Sequence, residues 1–182
     1  MLGLAKNWFF VIVLSITSIH AQDYDTIIWE ENNTLKWENF QGKPPVNHRA
    51  AAITASGITY RYSAEEVSGV LEVKFKVSAF FYPKKSWYRP SLCDSVTLGH
   101  EQLHFNISEL YARKLKKRLE ASTFSSNLKA EVAAIYKQVL QELNAFQNAY
   151  DSETNFSRDR QAQNLWQDKI TLELQPHKTT NH

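Results

Sequence analysis

The apolar residues of this 182-residue chain change their spacing near Pro90, and this change limits the folds open to the chain. From Leu71 to Phe81, apolar and charged or small polar side chains alternate, which indicates a strand with one buried and one solvated face. After Pro90 the apolar residues recur every three or four positions, as in an amphipathic helix. Strands first and helices afterwards predict an α+β domain whose N-terminal sheet is mostly antiparallel.

The helical half divides into three predicted helices, each with its own apolar stripe. The first begins at about Leu92, because Ser91 and Asp94 have the spacing of a capping box. The second covers roughly residues 127–150 and the third roughly residues 158–172, with a polar break between them.

The N-terminus has the pattern of a secretory signal peptide, residues 1–21. Lys6 precedes the apolar run Trp8–Leu14, and cleavage is expected after Ala21. The run is too short to span a bilayer comfortably, so we expect no stable membrane insertion, and an uncleaved N-terminal anchor is the weaker alternative. The sequence therefore predicts an exported protein, periplasmic or extracellular.

The remainder is long enough for one domain with a hydrophobic core, residues 22–174, followed by a polar, flexible tail at 175–182. The whole chain has 21 Lys and Arg against 19 Asp and Glu, and it has no basic stripe. This balance gives no support to a nucleic-acid partner. Cys93 is the only cysteine, so an intrachain disulfide is excluded. An exported chain of this kind relies on its core or on a bound metal for stability.

The motif His-Glu-x-x-His occupies residues 100–104, inside the first predicted helix. Four helical residues turn the chain by about 400°, so the imidazoles of His100 and His104 lie about 40° apart and ~6 Å along the axis. Both point to the apolar side of the helix, where they can share one zinc ion per chain. Glu101 is placed to accept a proton from water on the metal, rather than to serve as a third ligand.

The third ligand must come from elsewhere in the chain. A helical hairpin that turns near residue 123 would return the segment after Tyr150 to the start of the His100 helix. This topology favours Asp151 or Glu153 over His48, which follows a proline-rich break in the β-rich half. We predict Asp151 as the third ligand, with Glu153 and His48 as less favoured candidates.

The segment Leu98–Arg113 resembles the centre of a bacterial domain family of unassigned function, whose members are described as secreted zinc-dependent proteases with a zincin-like metal helix. The resemblance extends over nearly the whole mature chain, including Trp37–Gly42, Ala52–Ile58, Tyr150–Thr154, Gln163 and Trp166. It implies that His100 and His104 are ligands and that Glu101 is the general base. Many relatives carry His two residues after the position of Thr154, where this chain has Phe156. Either the family's third ligand is another residue, such as Asp151, or this site is weakened.

Two classes of function remain open at this point. The first is a metallopeptidase that hydrolyses peptide or related amide bonds, with an extended substrate paired to a sheet edge such as the 70–81 strand. The second is a non-catalytic cell-envelope protein with a structural or decayed metal site. The motif chemistry favours the first. The small size favours the second, because no second domain is evident to form the other wall of a cleft.

Overall fold

The computed structural model describes residues 25–67 and 70–175. The signal peptide predicted at 1–21 and, apart from residue 175, the tail predicted at 175–182 lie outside these residues. The strands are β1 (Ile27–Ile28), β2 (Ala52–Ile53), β3 (Ser56–Val67), β4 (Val70–Phe81) and β5 (Trp87–Tyr88). The helices are α1 (Ser95–Glu120), α2 (Leu128–Glu153) and α3 (Arg160–Leu174). The predicted α+β class, with antiparallel sheets followed by three helices, is confirmed.

The strands form two small antiparallel sheets. One has the order β1-β4-β3, and the other pairs β2 with β5. In the first sheet, β3 and β4 pair from Ser56 opposite Phe81 as far as Val67 opposite Val70. The alternation seen in the sequence is confirmed near the helix-facing end, where Ala79 and Phe81 are buried, whereas Lys74 and Lys76 lie in solvent. Phe81 packs on Phe105 of α1, with ring centroids 5.8 Å apart.

Helix α1 begins at Ser95, three residues later than predicted. The capping box that the sequence suggested for Ser91 and Asp94 is wrong. Instead, Asp94 is the N-cap, and its carboxylate accepts a hydrogen bond from the backbone N–H of Thr97 at 2.9 Å. The residues before it, Pro90–Leu92, form a separate 3-10 turn.

Helix α2 ends later than predicted, and this extension matters for the site. Asp151, expected in the break after the helix, lies in its last turn, which ends at Glu153. The chain then leaves the helix through three residues with positive φ, namely Asn155 (47°), Phe156 (54°) and Ser157 (69°). Left-handed backbone of this kind cannot continue a right-handed helix, so the position of the break is set here.

Helix α1 is the central element of the domain. It packs against β3, β4, α2 and α3, and its buried side chains include Leu103, Ile107, Leu115 and Leu119. The side chain of His104 contacts Gln147 of α2, and that of Arg118 pairs with Glu142. These contacts show that α1 and α2 run antiparallel, as the hairpin prediction required. Within the part of the chain that the structure describes, no helix is long and apolar enough to cross a membrane.

Candidate metal centre

Three side chains from two helices converge on one point. Helix α1 places His100 and His104 on the same face, and the last turn of α2 adds Asp151. The Oδ1 atom of Asp151 lies 3.0 Å from Nε2 of His100 and 2.9 Å from Nε2 of His104. The two Nε2 atoms are 3.2 Å apart. The structure thus brings together three of the predicted site residues into a group that could hold a metal ion.

The other nitrogen of each imidazole is held by a glutamine. Nδ1 of His100 lies 3.0 Å from Oε1 of Gln163, and Nδ1 of His104 contacts Oε1 of Gln147. An amide oxygen only accepts hydrogen bonds, so each Nδ1 carries a proton, and an imidazole without a second proton presents the lone pair of Nε2. Such partners fix the tautomer and the ring orientation of metal-binding histidines in general.

With this tautomer, the cluster needs positive charge between its members. Two Nε2 lone pairs and the carboxylate oxygen of Asp151, all acceptors, meet within 3.2 Å of one another. Three acceptors at this separation repel one another unless a cation or added protons lie between them. A tetrahedral zinc with ligand distances of about 2.0–2.1 Å needs ligand atoms about 3.3 Å apart, so the group fits zinc with an adjustment of only a few tenths of an ångström.

The charges around the group favour a cation. Burial acts to raise the pKa of Asp151, but its contacts with His100 and His104 outweigh burial and hold this pKa well below the usual range. Burial likewise acts to lower the pKa of His104, but Asp151 and Glu101 more than offset it, and the pKa is raised. Both shifts describe the group without a metal, in which protons on the imidazoles neutralise the ionised carboxylate, and a bound cation would supply the same positive charge.

Tyr150 packs against His100 and hydrogen-bonds to Gln163, the glutamine that contacts His100. Its ring is stacked on that of His100, with centroids 4.4 Å apart, and its hydroxyl donates to Gln163 at 2.9 Å. Burial raises the pKa of Tyr150 far above its usual value, so the hydroxyl stays protonated and remains a donor. Tyr150 therefore helps to fix both the ring of His100 and the glutamine that orients it.

Glu101 lies beside the group and does not belong to it. The residue is 5 % exposed, and its Oε2 atom is buried without a hydrogen-bond partner in the described chain. Its backbone oxygen accepts from the hydroxyl of Thr54 at 3.1 Å, which ties this turn of α1 to the end of β2. A buried carboxylate oxygen without a partner is costly, and such an atom is found where a ligand or water completes its bonding.

The cluster opens into a cleft of about 880 Å³. One wall is α1 and α2, and the other is formed by residues 48–54, which include β2, together with residues 156–158. The expectation that the 70–81 strand borders the site was wrong. That strand is the middle one of its sheet, paired with β3 along its length and with β1 at its end, and none of its residues lines the cleft. The single domain supplies both walls.

The less favoured ligand candidates have other contacts. The carboxylate of Glu153 accepts a hydrogen bond from Nε1 of Trp166 at 2.9 Å. His48 lines the outer wall of the cleft and packs edge-on against Trp87, with centroids 5.2 Å apart. Neither residue belongs to the group of possible metal ligands. Phe156, where many relatives are expected to carry His, stands 59 % exposed at the rim of the cleft.

Sequence reasoning did not assign roles to the two glutamines that hold the imidazoles. Gln147 precedes Asp151 by one helical turn on α2, so the expected hairpin would have been enough to place it near His104. Gln163 carried a signal only through the family resemblance, because its position depends on how α3 packs on α1.

A helix pair that joins two imidazoles and a carboxylate, with a second carboxylate in the adjoining cleft, defines an α+β domain with a candidate metal-binding site. The chain belongs to the family described as bacterial protein of unknown function (DUF922), whose sequence model matches residues 37–158. The matched region contains His100, Glu101, His104 and Asp151. No curated protein and no solved structure matches the chain.

Proposed function

We propose that this protein is a zinc-dependent peptidase that hydrolyses peptide or related amide bonds. The observation that supports this most strongly is the meeting of three acceptor atoms, from His100, His104 and Asp151, next to a buried and unpartnered carboxylate oxygen of Glu101. Both lie in the same open cleft. The three acceptor atoms can hold the metal, and the carboxylate of Glu101 can accept and donate a proton.

The number of ligands favours catalysis over a purely structural metal. Structural zinc sites are closed by four protein ligands, whereas catalytic sites use three and keep a position for water. The described residues offer three, and the group faces the cleft. When bound, zinc supplies a Lewis acid that polarises a carbonyl and makes water more acidic.

Glu101 is the candidate general base. Its carboxylate takes a proton from the attacking water and then donates the proton to the leaving amine, as a general acid. The buried position of Oε2 keeps bulk water from competing for this proton transfer. Because both steps occur at one carboxylate, no second titratable group is required on the chain.

Strand β2 is the candidate for substrate alignment. The N–H of Arg89 donates to the oxygen of Ala51 at 2.8 Å, so the pairing of β2 with β5 engages residue 51. Antiparallel pairing engages alternate residues, and the peptide groups of Ala52 therefore point away from β5. An extended peptide can add to this free side of the strand, which borders the cleft.

We further propose that the domain acts outside the cytoplasm, in the periplasm or beyond it. The support is the signal-peptide pattern of residues 1–21. Its substrate would then be a peptide or protein of that compartment.

The test is a metal analysis of the purified protein, combined with a peptide-hydrolysis screen of wild type and Glu101→Gln. We expect about one zinc per chain in both proteins. The variant should lose hydrolysis by roughly 10²- to 10⁴-fold, since its amide cannot accept a proton. Glu120→Gln, at the exposed end of α1, is the matched control and should behave as wild type.

Two results would count against the peptidase. Loss of zinc in Glu101→Gln would make Glu101 a ligand. Zinc-loaded protein that hydrolyses no peptide in the screen would favour the non-catalytic envelope protein.

A further inference from the structure

We propose that Arg49 and Arg158 form a carboxylate-binding subsite, so that the cleft selects peptides with a carboxylate close to the bond that is cut. This inference rests on the proposed peptidase function. It deepens that function by naming a substrate class.

The cleft of the metal group continues into a second depression of about 460 Å³. The two share a wall, to which the β-rich half contributes Arg49 and Ala51 and the loop between α2 and α3 contributes Phe156, Ser157 and Arg158. A chain lying in the first cavity can therefore extend over both arginines into the second.

The second depression is cationic. Its described lining contains three arginines, Arg49, Arg158 and Arg160, and one carboxylate, Asp94. That carboxylate is already used as the N-cap of α1, and it also lies 3.9 Å from Arg160. Among the described residues, neither Arg49 nor Arg158 has a carboxylate within ion-pair distance. Both side chains are exposed and free to bind an anion from the cleft.

The segment that carries Arg49 is held in place. The guanidinium of Arg89 donates to the backbone oxygens of Ala50 and Pro45, the latter at 2.7 Å, and it also lies over the ring of Trp87, 5.0 Å from its centroid. Arg49 thus lies in a loop whose residues 45 and 50 are both hydrogen-bonded to the side chain of Arg89, next to β5.

The segment that carries Arg158 is also fixed by hydrogen bonds. The N–H of Arg158 donates to the oxygen of Asn155 at 3.2 Å, and the N–H of Asp159 donates to the oxygen of Thr154 at 2.9 Å. Thr154 is fully buried. Two separately anchored loops therefore place Arg49 and Arg158 on one wall. Their fixed backbones lower the cost of ordering the two side chains around a ligand.

The chemistry of the pair favours a carboxylate. A planar guanidinium matches the two oxygens of a carboxylate and can bind it through two parallel hydrogen bonds. On a peptide, that carboxylate is either the side chain of Asp or Glu or the free C-terminus. Phe156 beside the arginines offers an apolar surface for the stem of such a residue.

The experiment measures binding without turnover, on zinc-loaded Glu101→Gln protein, with fluorescently labelled synthetic peptides. The peptides form matched sets in which one glutamate is replaced by glutamine, or the free C-terminus by an amide. We expect the peptide with the carboxylate to bind more tightly. Arg49→Glu and Arg158→Glu should each weaken its binding by about fivefold, as for a partly exposed ion pair, and should leave the neutral peptide unaffected. The preference should shrink at high salt.

Arg61→Glu is the charge-matched control, since Arg61 is exposed on β3 and does not line the cleft. The glutamine and amide arms identify which carboxylate is bound. Equal binding of charged and neutral peptides, or an equal loss in Arg61→Glu, would overturn the subsite even if wild type hydrolyses neutral peptides. The converse outcome is charge-dependent binding by the variant that needs Arg49 and Arg158, together with a wild type that hydrolyses no peptide. That result would support the subsite and overturn the peptidase. Arg49→Gln and Arg158→Gln, which avoid the added negative charge, should show the same direction of change.

Discussion

Asp151 is the side chain that turns a pair of histidines into a possible metal site. Two imidazoles from one helix hold zinc weakly, and catalytic sites of this kind use three protein ligands. The Oδ1 atom of Asp151 lies within 3.0 Å of both Nε2 atoms, and among the described residues no other carboxylate belongs to the group. We therefore expect the affinity for a metal to depend on this residue as much as on the motif.

The corresponding prediction compares the three candidate ligands. Asp151→Ala should weaken zinc binding by more than about a hundredfold, which exceeds the usual effect of residues that only orient a ligand. His48→Ala and Glu153→Ala should bind zinc as wild type does, because their side chains contact Trp87 and Trp166 instead. A competitive zinc titration of the three variants measures the difference. Unchanged affinity in Asp151→Ala would refute the assignment, and a large loss in His48→Ala would move the ligand to the β-rich half.

Local spacing in the sequence was enough to select His100 and His104 as candidate ligands. The third candidate depends on the topology, and there the sequence only narrowed the choice. His100 and His104 follow from the helical repeat alone. Asp151 required the additional inference of a helical hairpin, which left Glu153 open. The unpartnered oxygen of Glu101 could not be foreseen, because it reflects what packs around that side chain.

Helix α3 contributes to the candidate metal centre but supplies none of the three residues of the group. Gln163, in its first turn, contacts Nδ1 of His100 and the hydroxyl of Tyr150. Gln163 is buried, whereas Gln167, one turn further on, is exposed. Gln163 is thus the residue of α3 that contacts a histidine of the group, Trp166 packs on Tyr150 with ring centroids 5.2 Å apart, and Ile170 lies in the core.

We predict that Gln163→Ala weakens zinc binding by roughly 10- to 100-fold, the usual effect of removing a partner that orients a metal-binding histidine. Gln167→Ala is the matched control, with the same change on the same helix and no expected effect. Both affinities can be measured with a chromophoric zinc chelator as competitor. If the two variants bind zinc equally well, the orienting role of Gln163 is wrong.

At the level of elements, periodicity predicted the three helices and the long strand β4, but not how the strands pair. The alternation in residues 71–81 is local, and it correctly indicated a long strand. Its neighbours are chosen by long-range contacts with β1 and β3, so its place in the middle of a sheet could not be read from it. The outer wall of the cleft was missed for a related reason, because β2 has only two residues and leaves almost no pattern.

Across the whole molecule, a bound metal would join the two longest helices at one end of their hairpin. Because the chain has a single cysteine, no intrachain disulfide can join distant segments, and the bound metal would be a cross-link between them. Because the ligand set exists only in the folded chain, binding adds directly to the free energy of unfolding.

Removal of the metal should therefore lower the melting temperature. With free zinc at about a hundred times its Kd, we expect chelation to lower Tm by roughly 5–10 °C. His104→Ala should melt at the same temperature with and without chelator, whereas His48→Ala should respond as wild type does. The measurement is differential scanning calorimetry of each protein in both conditions. A wild-type Tm that chelator leaves unchanged would argue against a metal at this site.

The separation of the ligands along the chain bears on which ion the protein acquires. His104 and Asp151 are 47 positions apart, and they meet only when the hairpin of α1 and α2 has closed. Copper(II) binds nitrogen and oxygen donors more tightly than zinc does, so affinity alone would not select zinc. If the group takes up its ion as the hairpin closes, the ions that surround the chain at that time would decide which metal it holds. For an exported chain that crosses the membrane unfolded, metal identity would be decided at its destination rather than at its place of synthesis.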